Sequence, residues 1–188
     1  MSAALLLVAL GCWTAGSWIH IKAELAQYLI KRSWARTAPG DSKAPWPWAD
    51  TWPVARMTYE KHDLIILEGA HGSTLAFGPG LVSGTASPGE VGVSVVAGHR
   101  DTHFEFLRDV KKGEHFQVQT SDARWHTYVV KDVEIVNSDE RSGIALSAEK
   151  EQLVLVTCYP FDAVVVGGPL RYVVSLDRLV QDQPVWGG

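Results

Sequence analysis

Residues 152–158 read QLVLVTC. An apolar run of this length, rich in Val and ending on Thr and Cys, has the composition of a β-strand. Alternation along such a strand places Val154, Val156 and Cys158 on one face and Leu155 and Thr157 on the other. Val156 then forms the floor beside Cys158, while Thr157 faces the packed or hydrogen-bonded side. Similar short runs recur on both sides: VARMTYE at 54–60, LIILEG at 64–69, VGVSVVAGH at 91–99, EHFQVQT at 114–120, WHTYVVKDVEIV at 125–136 and LRYVVSL at 170–176. Turn residues, among them Gly72, Gly80, Pro88, Gly89 and Gly113, separate them. The expectation is a small all-β barrel or sandwich with two short helices, near His103–Val110 and Ser147–Lys150. The Gly-rich stretch at 78–92, GPGLVSGTASPGEVG, lacks a phosphate-binding spacing and reads as a loop.

The chain has 188 residues, enough for one domain with a sizeable core. Its net charge is −4, with Lys and Arg scattered, so no nucleic-acid partner is expected. The two cysteines, Cys12 and Cys158, lie far apart and suggest neither a disulfide framework nor a zinc site. No cofactor and no metal is expected. His99 and His103 have a spacing that suits a metal on a helix, but no third ligand accompanies them.

Before the β-type runs, Ala3 to Ile19 contains no charged residue and is close to the roughly 20 residues needed to span a bilayer. Residues 1–36 are expected to form a membrane-spanning helix continuing as an amphipathic one, with apolar Ile21, Leu25, Tyr28 and Leu29 at helical spacing. Residues 37–53 form a Pro- and Trp-rich connector whose Trp46, Trp48 and Trp52 are expected to pack on the domain at 54–188. Lys22, Lys31, Arg32 and Arg36 follow the apolar stretch, which by the positive-inside rule points the domain toward the cytoplasm.

Three segments carry chemistry: 93–116 with His99, 152–163 with Cys158, and 167–174 with Arg171. A thiol beside a cation is an effective nucleophile. Acyl transfer then needs an acid for the leaving amine and a donor aimed at the developing oxyanion, roles that His and Arg can fill. Arg171 can lie beside Cys158 if the chain returns on an adjacent antiparallel strand, and His99 ends its own β-run.

VAGHR, VLVTCYP and LRYVV resemble the three catalytic segments of the sortases. That family's cysteine follows a T-L-x-T-C pattern, and here Val154 replaces the first threonine. PWPWADTWPVARM at 45–57 is similar to the subgroup of Gram-negative bacteria called class GN. The resemblance implies a closed eight-stranded barrel and two-step transpeptidation. Cys158 attacks an LPxTG-like sorting signal of a partner protein to give a thioester, which an amine acceptor resolves. His99 moves the protons and Arg171 holds the oxyanion. It also implies a single pass through the inner membrane with the domain facing the periplasm, against the charge pattern. Val156, Thr157 and Tyr159 are candidate substrate-contacting residues.

Two other functions fit the class. One is an L,D-transpeptidase-like envelope cysteine acyltransferase, whose cysteine context differs from VTCYPF. The other is a non-catalytic periplasmic β-barrel binding module with an inert cysteine. Arg100 and Arg108 read as ion-paired surface residues, and Asp101 as a solvated turn residue. His62, His71, His115 and His126 have no context that assigns them a role.

Overall fold

The computed structural model describes residues 23–39, 41–140, 149–163 and 167–179. Eight strands form the body: β1 (Pro53–Tyr59), β2 (His62–Glu68), β3 (Gly80–Leu81), β4 (Gly92–Ala97), β5 (His115–Thr120), β6 (Trp125–Asn137), β7 (Glu151–Cys158) and β8 (Leu170–Arg178). They close into a barrel in the order β1-β2-β3-β4-β7-β8-β6-β5. Seven of the eight coincide with the runs expected from sequence. The eighth, β3, falls inside the stretch read as a loop. Its two residues pair in parallel with Leu67 and Glu68 and antiparallel with Val96 and Ala97. A Cβ on Gly80 would lie 2.1 Å from the Gly69 carbonyl oxygen, so the chains meet there only because glycine has no side chain.

Strand alternation divides the side chains cleanly. Leu153 and Leu155 of β7, Val96 of β4, and Val174 and Leu176 of β8 point into the barrel, where they meet Met57, Ile66, Phe116, Val118 and Tyr128. Each fully buried Leu or Val contributes about 1.5–3 kcal/mol relative to exposure. Val93, Val95, Val154 and Val173 form a second apolar cluster on the outer face of β4, β7 and β8, joined by the half-covered Val156 and Val136. The outer face of these strands is therefore apolar where a one-sided barrel would be polar.

The expected helix at 103–110 is a 3-10 helix at Glu105–Asp109, preceded by turns. Phe104, Phe106, Leu107 and Val110 are buried and close one barrel mouth. The rings of Tyr59 and Phe116 stack at 4.4 Å beneath Phe106. Of the helix expected at 147–150, only 149 and 150 are described; they form a turn and bend into β7. Residues 23–34 are helical (α1) and bury Ala26 and Ile30. Ile30 packs with Ile65 and Leu67 of β2 and with Trp34, Trp46 and Phe77. A further one-turn helix, α2 (Gly72–Leu75), was read as a turn. Of the connector tryptophans, Trp46 meets Phe77 edge-on at 5.1 Å, but Trp48 is 83% exposed, contrary to the expectation that all three pack on the domain. Pro47 and the 46–49 turn direct it outward. Among the described residues no helix is long and apolar enough to cross a membrane, and Ala3–Ile19 lies outside them.

Candidate active site

The site lies where three neighbouring strands end together. β7 is the centre. It pairs in parallel with β4 up to Ala97↔Val156 and antiparallel with β8 up to Cys158↔Arg171. Directly opposed residues in a ladder share a face. Arg171 is thus level with Cys158 and on the same outer face of the sheet. His99 follows two residues after Ala97, the last β4 residue paired with β7, so it leaves the sheet on the opposite side of β7 from Arg171. β7, which carries Cys158, thus lies between the strand that leads to His99 and the strand that carries Arg171.

Local chemistry explains why each strand stops there. Gly98 donates from its N–H to the Val156 carbonyl at 3.1 Å, and Thr157 Oγ1 donates to the Gly98 carbonyl at 2.7 Å. These two bonds tie the residue before His99 to the residues before Cys158. Thr157 is 2% exposed and faces inward. Its expected role as a substrate contact is therefore corrected: it is a structural tie, because alternation turns it away from the face that carries Cys158. After His99 the chain leaves the sheet. The Phe104 N–H returns to the His99 carbonyl at 2.9 Å, closing the loop. Gly98 permits this closure, since a Cβ there would lie 2.7 Å from the Phe104 ring.

Past Cys158, the Tyr159 N–H donates to the Leu170 carbonyl at 3.1 Å. The Tyr159 ring stacks on Tyr172 at 6.2 Å, and Phe161 meets Tyr172 edge-on at 5.0 Å. Tyr159 is half-buried in this aromatic group. Arg171 Nη1 donates to the Gly168 and Leu170 carbonyls, the latter at 2.9 Å. Those bonds fix one edge of the guanidinium against its own loop. His99 is exposed, and Cys158 and Arg171 are half-buried. Each of the three is thus at least partly open to solvent.

His103, four residues after His99, is a titratable neighbour whose protonation is biased. Burial first, and the nearby His99 second, hold its pKa below the usual imidazole value, with Asp101 opposing. Among the described residues no group of three metal-ligating side chains converges. Arg100 and Arg108, expected to be simple surface ion pairs, each reach across to the loop after Cys158. Arg100 Nη2 donates to the Ala163 carbonyl at 2.9 Å, and the Arg108 guanidinium lies 5.2 Å over the Phe161 ring while pairing weakly with Glu105. Sequence reasoning missed both contacts because their partners are distant in the chain.

The family model described as the sortase domain matches residues 57–178, which is most of the barrel. The chain belongs to the sortase family. It is similar to sortase D of Bacillus subtilis (strain 168), 38% identical over 117 residues, which cover 62% of this chain and 58% of that protein. The match therefore spans less than two thirds of that relative. Among solved structures, sortase A from Corynebacterium diphtheriae aligns with a TM-score of 0.63 and 26% identity, over 73% of this chain and 65% of that one. Sortase C-1 from Actinomyces oris aligns with a TM-score of 0.61 and 28% identity, over 69% and 75%. The closed eight-stranded barrel is thus the sortase barrel, and the Cys158–Arg171 pair lies within the matched region.

Proposed function

We propose that this sortase is a cysteine transpeptidase acting on an LPxTG-like sorting signal of a partner protein. The observation that carries the reading is the register that sets Cys158 opposite Arg171, with His99 just past the end of β4 on the other side of β7. Cys158, as thiolate, attacks the threonyl carbonyl. The electron pair moves to the carbonyl oxygen, and Arg171 donates to that oxyanion. The tetrahedral intermediate collapses, the C–N bond breaks and imidazolium His99 gives its proton to the leaving amine. A thioester on Cys158 remains. An incoming amine attacks it, neutral His99 takes the amine proton, and the thiolate leaves. Val156, half-buried at the edge of the Val93, Val95, Val154 and Val173 cluster and on the same strand face as Cys158, is the contact offered to the apolar part of a sorting signal.

We further read the chain as tethered through Ala3–Ile19 to the inner membrane with the barrel in the periplasm, and as a member of the Gram-negative subgroup. What supports these finer readings is sequence alone: the uncharged stretch and PWPWADTWPVARM. Incubating the full chain in detergent with LPxTG-type peptides and measuring intact mass tests the chemistry. An acyl adduct on Cys158, cleared by added amine and absent in Cys158→Ala, is the expected result. Adducts formed only with a peptidoglycan tetrapeptide stem would move the reading to an envelope acyltransferase.

A further inference from the structure

We propose that Arg100 is a positioning residue: it holds the loop after the nucleophile against the loop after the histidine, and so keeps thiol and imidazole together. The inference rests on the Cys158–His99 reading above. The pairing of β4 with β7 ends at Ala97↔Val156. The last ties beyond it are the Gly98–Val156 and Thr157–Gly98 hydrogen bonds, which lie upstream of both reacting groups. His99 and Cys158 thus sit at the mouths of two diverging loops. Nothing in the sheet itself keeps them from separating.

Two cations from the His99 side close the gap. Arg100, the residue bonded directly to His99, reaches Ala163, 63 positions away, with a 2.9 Å hydrogen bond to its carbonyl. Arg108 covers the Phe161 ring at 5.2 Å, and Phe161 packs on Tyr172 of β8. The Arg100 contact is the directional one, because a planar guanidinium fixes both the position and the orientation of its acceptor. The segment it holds, 159–163, follows directly on Cys158, and its Tyr159 N–H donates to the Leu170 carbonyl beside Arg171. The Arg100 hydrogen bond therefore links the segment carrying His99 to the segment that follows Cys158.

The test compares the full chain in detergent as wild type, Arg100→Ala, Arg100→Lys and Arg100→Gln. The first readout is amide hydrogen exchange over 159–163, which needs no substrate. In Arg100→Ala this segment is expected to exchange about tenfold faster, with barrel amides unchanged. Arg100→Gln keeps an N–H donor without the charge and is expected to restore much of the protection. The second readout is the pH profile of Cys158 alkylation by iodoacetamide, mapped by peptide mass to separate it from Cys12. In the wild type, His99→Ala is expected to shift this profile; in Arg100→Ala, the same change is expected to have little further effect. Exchange within about twofold of wild type, together with superimposable alkylation profiles, overturns the proposal. A wild-type profile insensitive to His99→Ala would instead count against the Cys158–His99 reading, while the exchange result still decides whether Arg100 holds the loop.

Discussion

Substituting Gly98 by alanine is the sharpest small perturbation of the site. The added Cβ would stand 2.7, 2.9 and 3.0 Å from three atoms of the Phe104 ring. Carbon atoms in good contact lie about 3.5–4.0 Å apart, so the ring or the loop must retreat by roughly 0.5–1 Å. Phe104 is fully buried in the barrel core, so it has little room to move. Gly98 is not among the glycines with positive φ, so the strain is contact and not backbone. Overpacking of this kind costs about 1–3 kcal/mol. In a domain of this size that lowers the melting temperature by roughly 4–10 °C. The displacement falls on the residue before His99, whose carbonyl Phe104 also holds. A misplacement near 1 Å can cost about a hundredfold in turnover, so kcat/KM is expected to fall further than stability alone explains. Circular-dichroism melts and peptide-cleavage kinetics measure the two effects. Adding Phe104→Leu to Gly98→Ala is expected to recover part of the melting temperature. If Gly98→Ala melts within about 1 °C of the wild type and keeps full activity, the close packing of Phe104 on Gly98 does not constrain the site.

Three other changes probe the fold away from the site. Ser94 Oγ is buried with no hydrogen-bond partner among the described residues, so Ser94→Ala is expected to be neutral or to stabilise by about 1 kcal/mol in chemical denaturation, and a clear loss would show that the hydroxyl has a partner. Glu151 accepts from Tyr128 Oη at 2.5 Å and sits 3.2 Å from His126 Nδ1 and 3.4 Å from Arg178 Nε. Glu151→Gln is expected to destabilise by about 2–3 kcal/mol because Arg178 loses its counter-charge. Since Glu151 lies ~23 Å along β7 from Cys158, kcat/KM of the folded variant should stay within about twofold of wild type. Arg56 holds Asp63 through bonds of 2.7 and 3.0 Å, and that hydrogen bonding keeps the Asp63 pKa below the usual carboxylate value. A depressed folded pKa contributes stability that is present above the unfolded pKa and lost as pH falls through the folded one. The pair is more than a third exposed, so Asp63→Asn should cost less than about 1 kcal/mol at pH 7, with the difference from wild type vanishing in acid; a constant difference down to low pH would argue against a charge origin.

Alternating runs such as VARMTY and FQVQ, and the Val/Leu-rich VLVTC, made seven strands legible. Each puts one set of side chains into a common core, and that demand leaves a pattern in the sequence. β3 left none, because a two-residue strand held by backbone contact at Gly80 has no side-chain period. Cys158, His99 and Arg171 were visible through the motifs around them. The residues that support them were not, since the Arg100–Ala163 and Arg108–Phe161 contacts join positions with no local signature. His126 had no sequence context, yet it is buried beside Glu151 at the far end of β7. Thr157 lies on the strand face that alternation predicts, and that face is the buried one. Its neighbour Cys158 suggested a role that alternation denies it.

A short bifunctional alkylator such as 1,3-dibromoacetone tests the central geometry most directly. The reagent first captures the thiol and then any nucleophile within its reach. The expected product is a bridge between the peptides carrying Cys158 and His99, lost in His99→Ala and retained in His103→Ala. A thiol that reacts but stays singly attached, or that bridges to another residue, would contradict the convergence of sulfur and imidazole on which the proposed chemistry depends.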